Sequence, residues 1–84
     1  MTEGKLPAQL KWRDFLCVLK QLGYQEMKSK QGAARSFHNP NRQPDVVTFH
    51  EPHGGDTLRP GTLREYLRKL RLNKDEFLTL LKNC

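Results

Sequence analysis

The sequence is poor in cysteine, acidic residues and long apolar runs, and each shortage excludes something. Only two cysteines, Cys17 and Cys84, occur in 84 residues, with no Cys-x-x-Cys pair. The three histidines complete no zinc-ligand spacing, so the common structural zinc folds are excluded. Two cysteines far apart in a chain without a secretory signature are expected as free thiols, not as a disulfide. No apolar stretch approaches the ~18–20 residues that span a bilayer. The start, Met1-Thr2-Glu3-Gly4-Lys5, lacks the apolar region of a signal peptide. A soluble, cytoplasmic chain is the expectation. No P-loop glycine pattern and no HExxH occur, and Ser29, Ser36 and Cys17 have no local signature of a nucleophile. Acidic residues number nine against fifteen Lys and Arg, a formal net charge of +6. That surplus favours a polyanionic partner, nucleic acid before membrane surface, because no strongly apolar face accompanies it. A chain this short forms one domain and buries only about 60–65% of its unfolded surface, which excludes a deep multilayer core.

The apolar residues that are present fall into periodic segments. Residues 1–8 show no periodicity and read as a flexible tail, with a single domain over 9–84. Trp12, Phe15, Leu16, Leu19 and Leu22 follow the stripe of an amphipathic helix, and Gly23 suits the left-handed position that ends one. Tyr24 to Lys30 reads as a strand, Gln31-Gly32 as a tight turn, and Ala33 to His38 as a second strand. The segment from Asn39 to Pro44 breaks the sheet through its two prolines and its asparagines. Val46-Val47-Thr48-Phe49 is a β-branched and aromatic strand. Short connections between three strands predict an antiparallel meander. Thr62-Leu63-Arg64-Glu65 has the form of a capping box, and Leu63, Tyr66, Leu67 and Leu70 form the stripe of the helix it would open. Asn73-Lys74-Asp75-Glu76 repeats the cap before a short helix carrying Phe77, Leu80 and Leu81. The predicted order is αβββαα: an α+β fold with helices on one face of a three-stranded antiparallel sheet and the other face wet.

Arg64, Arg68 and Arg71 share one helix face away from the leucines, with Arg59 and Lys69 nearby. They read either as a ridge that tracks phosphates or as an ordinary solvated face. Lys28, Lys30, Arg35 and Arg42 form a second basic group around the first hairpin, and Cys17 reads as a small buried residue of the first helix. The histidines are the acid–base candidates near neutral pH. His50 ends the strongest strand, and His53 follows beside Gly54-Gly55. RNA cleavage without a metal needs a base, an acid and cations around the phosphorane. His50, His53 and the arginines are the residues able to supply them, and exposed structural histidines are the plainer alternative. His38, beside the proline turn, is the weaker candidate.

Leu22-Gly23-Tyr24, the basic hairpin, Thr48-Phe49-His50, His53-Gly54-Gly55 and Leu58-Arg59-Pro60-Gly61-Thr62-Leu63 together resemble the HicA family of toxin mRNA interferases, over roughly residues 11 to 82. The most specific piece is Pro60-Gly61-Thr62-Leu63-Arg64 after the His-Gly-Gly loop. The resemblance implies a double-stranded-RNA-binding-like αβββα fold with an extra C-terminal helix. It also implies a type II toxin that cleaves mRNA as a metal-independent endoribonuclease with no cofactor, and a HicB-type antitoxin as partner. Gly32 would form the tight turn, and Lys28, Lys30, Arg35, Arg59, Arg64 and Arg68 would hold RNA. The family's catalytic histidine follows a Gly-Ser pair, and here Gly32-Ala33-Ala34 places Ala34 at its position. Three readings of Ala34 stand: an inactivating substitution, a divergent site in which His50 or His53 carries the chemistry, or a non-catalytic module that binds RNA or protein. The oligomeric state is not readable from the residues.

Overall fold

The computed structural model describes residues 6–28, 34–52 and 57–84. Five strands and three helices follow in the order β1 (Leu10–Lys11), α1 (Trp12–Gln21), β2 (Gln25–Met27), β3 (Ala34–His38), β4 (Val46–His50), β5 (Thr57–Leu58), α2 (Pro60–Leu70) and α3 (Lys74–Lys82). The predicted meander is present as a three-stranded antiparallel sheet in the order β2-β3-β4. Its register sets Glu26 against Phe37, Phe37 against Val47 and Ala34 against His50. Of the expected tail, residues 1–5 lie outside the described residues, and Leu6 packs partly buried against the core.

Alternation decides which face is covered. Phe37, Val47 and Phe49 point inward and are buried against Phe15, Val18 and Leu19 of α1 and Leu63, Tyr66 and Leu70 of α2. Phe49 meets Phe15 edge-on with centroids 5.0 Å apart and Tyr66 at 4.6 Å, so the centre of the core is aromatic. Packing of this type adds to the burial of large apolar area. The opposite face carries Ala34, Ser36 and His38 on β3 and Val46, Thr48 and His50 on β4.

Both long helices end in the same way. The N–H of Tyr24 bonds the carbonyl of Leu19, and that of Leu72 bonds Leu67, each across one left-handed residue. In α1 that residue is Gly23 at φ 95, where an added Cβ would lie 2.9 Å from Nδ2 of the buried Asn39. In α2 it is Arg71 at φ 54, a conformation that glycine adopts at less cost.

Three expectations need correction. Cys17 and Cys84 form a disulfide across 67 residues of sequence, because α3 folds back along α1 and brings the two Cα atoms to 6.1 Å. The Thr62–Glu65 capping box is absent, since α2 opens three residues earlier, with Pro60 in its first turn and Arg59 at the cap position. Thr62 therefore sits inside the first turn, and the Leu63 N–H bonds the Arg59 carbonyl at 2.9 Å. The third is an omission: β1 and β5 form a small antiparallel pair that joins the entries to α1 and α2, with buried Leu10 opposite buried Leu58. Two residues per strand are too few to show periodicity. The second capping box holds, with Asn73 accepting from the Glu76 N–H at 2.7 Å and Glu76 accepting from the Asn73 N–H.

Candidate nucleic-acid interface

The last rung of the β3–β4 ladder pairs Ala34 with His50. Both side chains belong to the uncovered face, and His50 is exposed. Tyr66 of α2 holds the backbone of His50 on both sides. Its hydroxyl accepts from the His50 N–H at 3.1 Å and donates to the His50 carbonyl at 2.9 Å. Three residues on, Lys69 donates from Nζ to the Thr48 carbonyl at 3.1 Å, with the ammonium 5.9 Å from the ring centroids of Phe49 and Tyr66. A helix spacing of three thus meets a strand spacing of two, and α2 closes the free edge of β4. Two rungs from His50, on the same face, the Ser36 and Thr48 hydroxyls are hydrogen-bonded at 2.9 Å. The exposed face at this end therefore presents an imidazole, a hydroxyl pair and one nearby ammonium.

Arg35 lies on the covered side of β3 and is held between two carboxylates. Its Nη1 donates to Glu26 Oε2 at 3.0 Å, while Nε and Nη2 both reach Glu51 Oε1, at 3.0 and 2.8 Å. Hydrogen bonds to Glu26 first, and then to Glu51, hold the guanidinium above its ordinary value. Arg35 thus ties β2 to the segment after β4 instead of standing free for a phosphate. Arg42 donates to the Leu70 carbonyl at 3.0 Å and caps the end of α2. Arg64 and Arg68 are exposed, and Arg68 pairs with Glu65 at 3.4 Å. At about 100° per residue they are turned a right angle or more from Lys69, so they border a different flank of α2 than His50 does. Arg59 is exposed at the N-cap of α2, and Lys28 is exposed after β2. Lys30, Gly32 and His53 lie outside the described residues.

Sequence reading passed over Tyr66 and Lys69 as site-builders. Tyr66 was legible as part of the buried stripe and Lys69 as a surface cation. The i, i+3 spacing of a tyrosine and a lysine beside a strand edge was their only signal. Among the described residues, no group of three His, Cys, Asp or Glu side chains is arranged to hold a metal ion, and no helix is long and apolar enough to cross a membrane.

A family model described as HicA toxin of bacterial toxin-antitoxin matches residues 12–72, from the first residue of α1 to the second residue after α2. The chain belongs to the HicA toxin family. No curated protein and no solved structure shows significant similarity to it. As a HicA-family toxin it belongs to a toxin–antitoxin system, which implies an antitoxin as its partner. The helix α3 and Cys84 lie beyond the matched residues, whereas Cys17, the other end of the disulfide, lies within them.

Proposed function

We propose that this toxin is a metal-independent endoribonuclease that cleaves mRNA in the cytoplasm and is neutralised by a HicB-type antitoxin, with His50 as the acid–base group. The observation that carries this reading is the Ala34–His50 rung. The histidine expected by family likeness at position 34 is missing, and His50 stands directly across the strand from that position. Side chains facing each other across such a rung have Cβ atoms about 4.5–5.5 Å apart, so an imidazole from either strand reaches the same volume. In the proposed step the ribose 2′-oxygen loses its proton to His50 and bonds to the adjacent phosphorus. The 5′-oxygen leaves and takes up a proton, yielding a 2′,3′-cyclic phosphate and a 5′-hydroxyl end. His53 is the candidate donor of that second proton. Lys69, bonded to the Thr48 carbonyl, is the proposed cation for the phosphorane, and Lys28, Lys30, Arg59, Arg64 and Arg68 are the proposed contacts to the rest of the RNA.

The test is cleavage of a defined transcript in EDTA. The unsubstituted chain is expected to cut, and His50→Ala to lower the rate by about 100-fold or more. If the unsubstituted chain leaves RNA intact and Ala34→His cuts, position 34 carries the chemistry and His50 does not. If neither cuts, the chain is a non-catalytic module. RNA binding that weakens steeply with salt would then mark it as an RNA binder, and flat dependence as a protein-interaction module.

A further inference from the structure

We propose that the free edge of β2, with the apolar groove between β2 and α1, receives an extended acidic segment of the antitoxin by strand addition; this rests on the antitoxin partner named above.

The register shows which backbone groups are free. Thr48 and His50 turn their carbonyls to Lys69 and Tyr66, away from β3. In an antiparallel ladder residues alternate, so Val47 and Phe49 bond β3, and Arg35 and Phe37 bond β4. The Asn39 N–H continues that series by bonding the Asp45 carbonyl at 2.7 Å. Ser36 and His38 therefore face β2, where Met27 and Gln25 complete their bonds. Glu26 is left with its N–H and carbonyl directed outward from the sheet, the doublet that an added antiparallel strand takes.

Beside this doublet lies a groove of about 280 Å³, lined by Leu16, Leu19, Tyr24 and Phe37 and bordered by Lys20 and Glu26. It has room for a large apolar side chain. The local charge identifies the occupant. The Glu26 carboxylate is already paired with Arg35 at 3.0 Å. Lys20 and Lys28 are exposed and pair with no carboxylate among the described residues. The free charge at this edge is positive, so an acidic segment with an apolar anchor is complementary to it. A second copy of the chain fits poorly, because a twofold pairing here sets Glu26 against Glu26, and like charges directly opposite are destabilising. RNA would gain nothing from the leucine and phenylalanine lining.

The experiment measures affinity of the full chain for the antitoxin encoded with it. Glu26→Pro removes an N–H that the β2–β3 ladder does not use, and an edge strand tolerates proline there. It is expected to weaken binding by about tenfold, the value of one lost buried hydrogen bond. Glu26→Gln keeps the N–H and should bind as the unsubstituted chain does. Leu16→Asp, which places a negative charge in the groove, should also weaken binding. Amide exchange gives a readout that needs no variant: the Glu26 amide should slow on complex formation while the Gln25 and Met27 amides, already bonded to β3, change little. Unaltered affinity in both Glu26→Pro and Leu16→Asp, with no slowing at Glu26, overturns the surface and leaves the partner standing. Absence of any binding by the unsubstituted chain overturns both. Self-association lost in Glu26→Pro would assign the edge to a second copy, and lost RNA binding in the same variant would assign it to RNA; either result overturns the inference.

Discussion

Along β4, a tyrosine and a lysine from α2 occupy the outward backbone groups of His50 and Thr48. Along β2, at the other side of the same three-stranded sheet, Glu26 meets no such cover among the described residues, and an apolar groove runs beside it. The unpaired groups of an edge strand are a template for another chain, and proteins cover or charge the edges they do not use. The closed edge belongs to the strand that carries the candidate catalytic histidine. Holding its backbone there fixes where the imidazole starts, so the edge that is closed is the one where position matters. The open edge lies across the sheet from it, with its Glu26 carboxylate paired to Arg35, which also binds Glu51.

Substitutions at the two edges test this contrast. The largest effect is expected from Tyr66→Ala, which removes a buried aromatic ring together with the edge cover; it should cost about 3–5 kcal/mol in chemical denaturation. Cys84→Ser should cost about 2–4 kcal/mol by the same measurement, since the disulfide closes a long loop. Because it acts on α1 and α3, the slow exchange of the His50 amide relative to the Glu26 amide should persist in it. Tyr66→Phe keeps the ring and deletes only the hydroxyl, at a cost of about 1–3 kcal/mol for the two backbone groups left at His50. The His50 amide should then exchange as the Glu26 amide does, and RNA cleavage should fall with it. An unchanged His50 exchange rate in Tyr66→Phe would remove the distinction between the edges. Lys69→Ala should cost no more than about 0.5–1 kcal/mol, because Thr48 can bond water instead. The smallest change expected lies away from both edges: Arg71→Gly at the left-handed end of α2 should raise stability by about 0.5–1 kcal/mol.

The helices were legible because their signals are local. The Trp12-to-Leu22 stripe, Gly23 at the end of α1 and the Asn73–Glu76 box each act within a turn or two of backbone. The strand from Val46 was legible for the same reason. The Thr62–Glu65 pattern misled because Pro60 opens the helix first, so the Glu65 N–H that the Thr62 hydroxyl would bind already belongs to the helical ladder. The basic hairpin was harder to interpret. Charge counts Arg35 and Arg42 as free cations, whereas the first is held between Glu26 and Glu51 and the second sits on the Leu70 carbonyl. No local pattern distinguishes a paired guanidinium from an unpaired one.

The shortage of cysteine shows the same limit. The three helices and the three-stranded meander followed from amphipathic period, turn chemistry and caps, which are properties of neighbouring residues, and the motifs from Leu22 to Arg64 carried the likeness to HicA toxins. That Cys17 and Cys84 are joined, that Arg35 is paired, that His50 faces Ala34, and that one edge of the sheet is covered while the other is open among the described residues came from the three-dimensional arrangement. Each of these depends on register and on how helices cross the sheet, which bring together residues far apart in sequence.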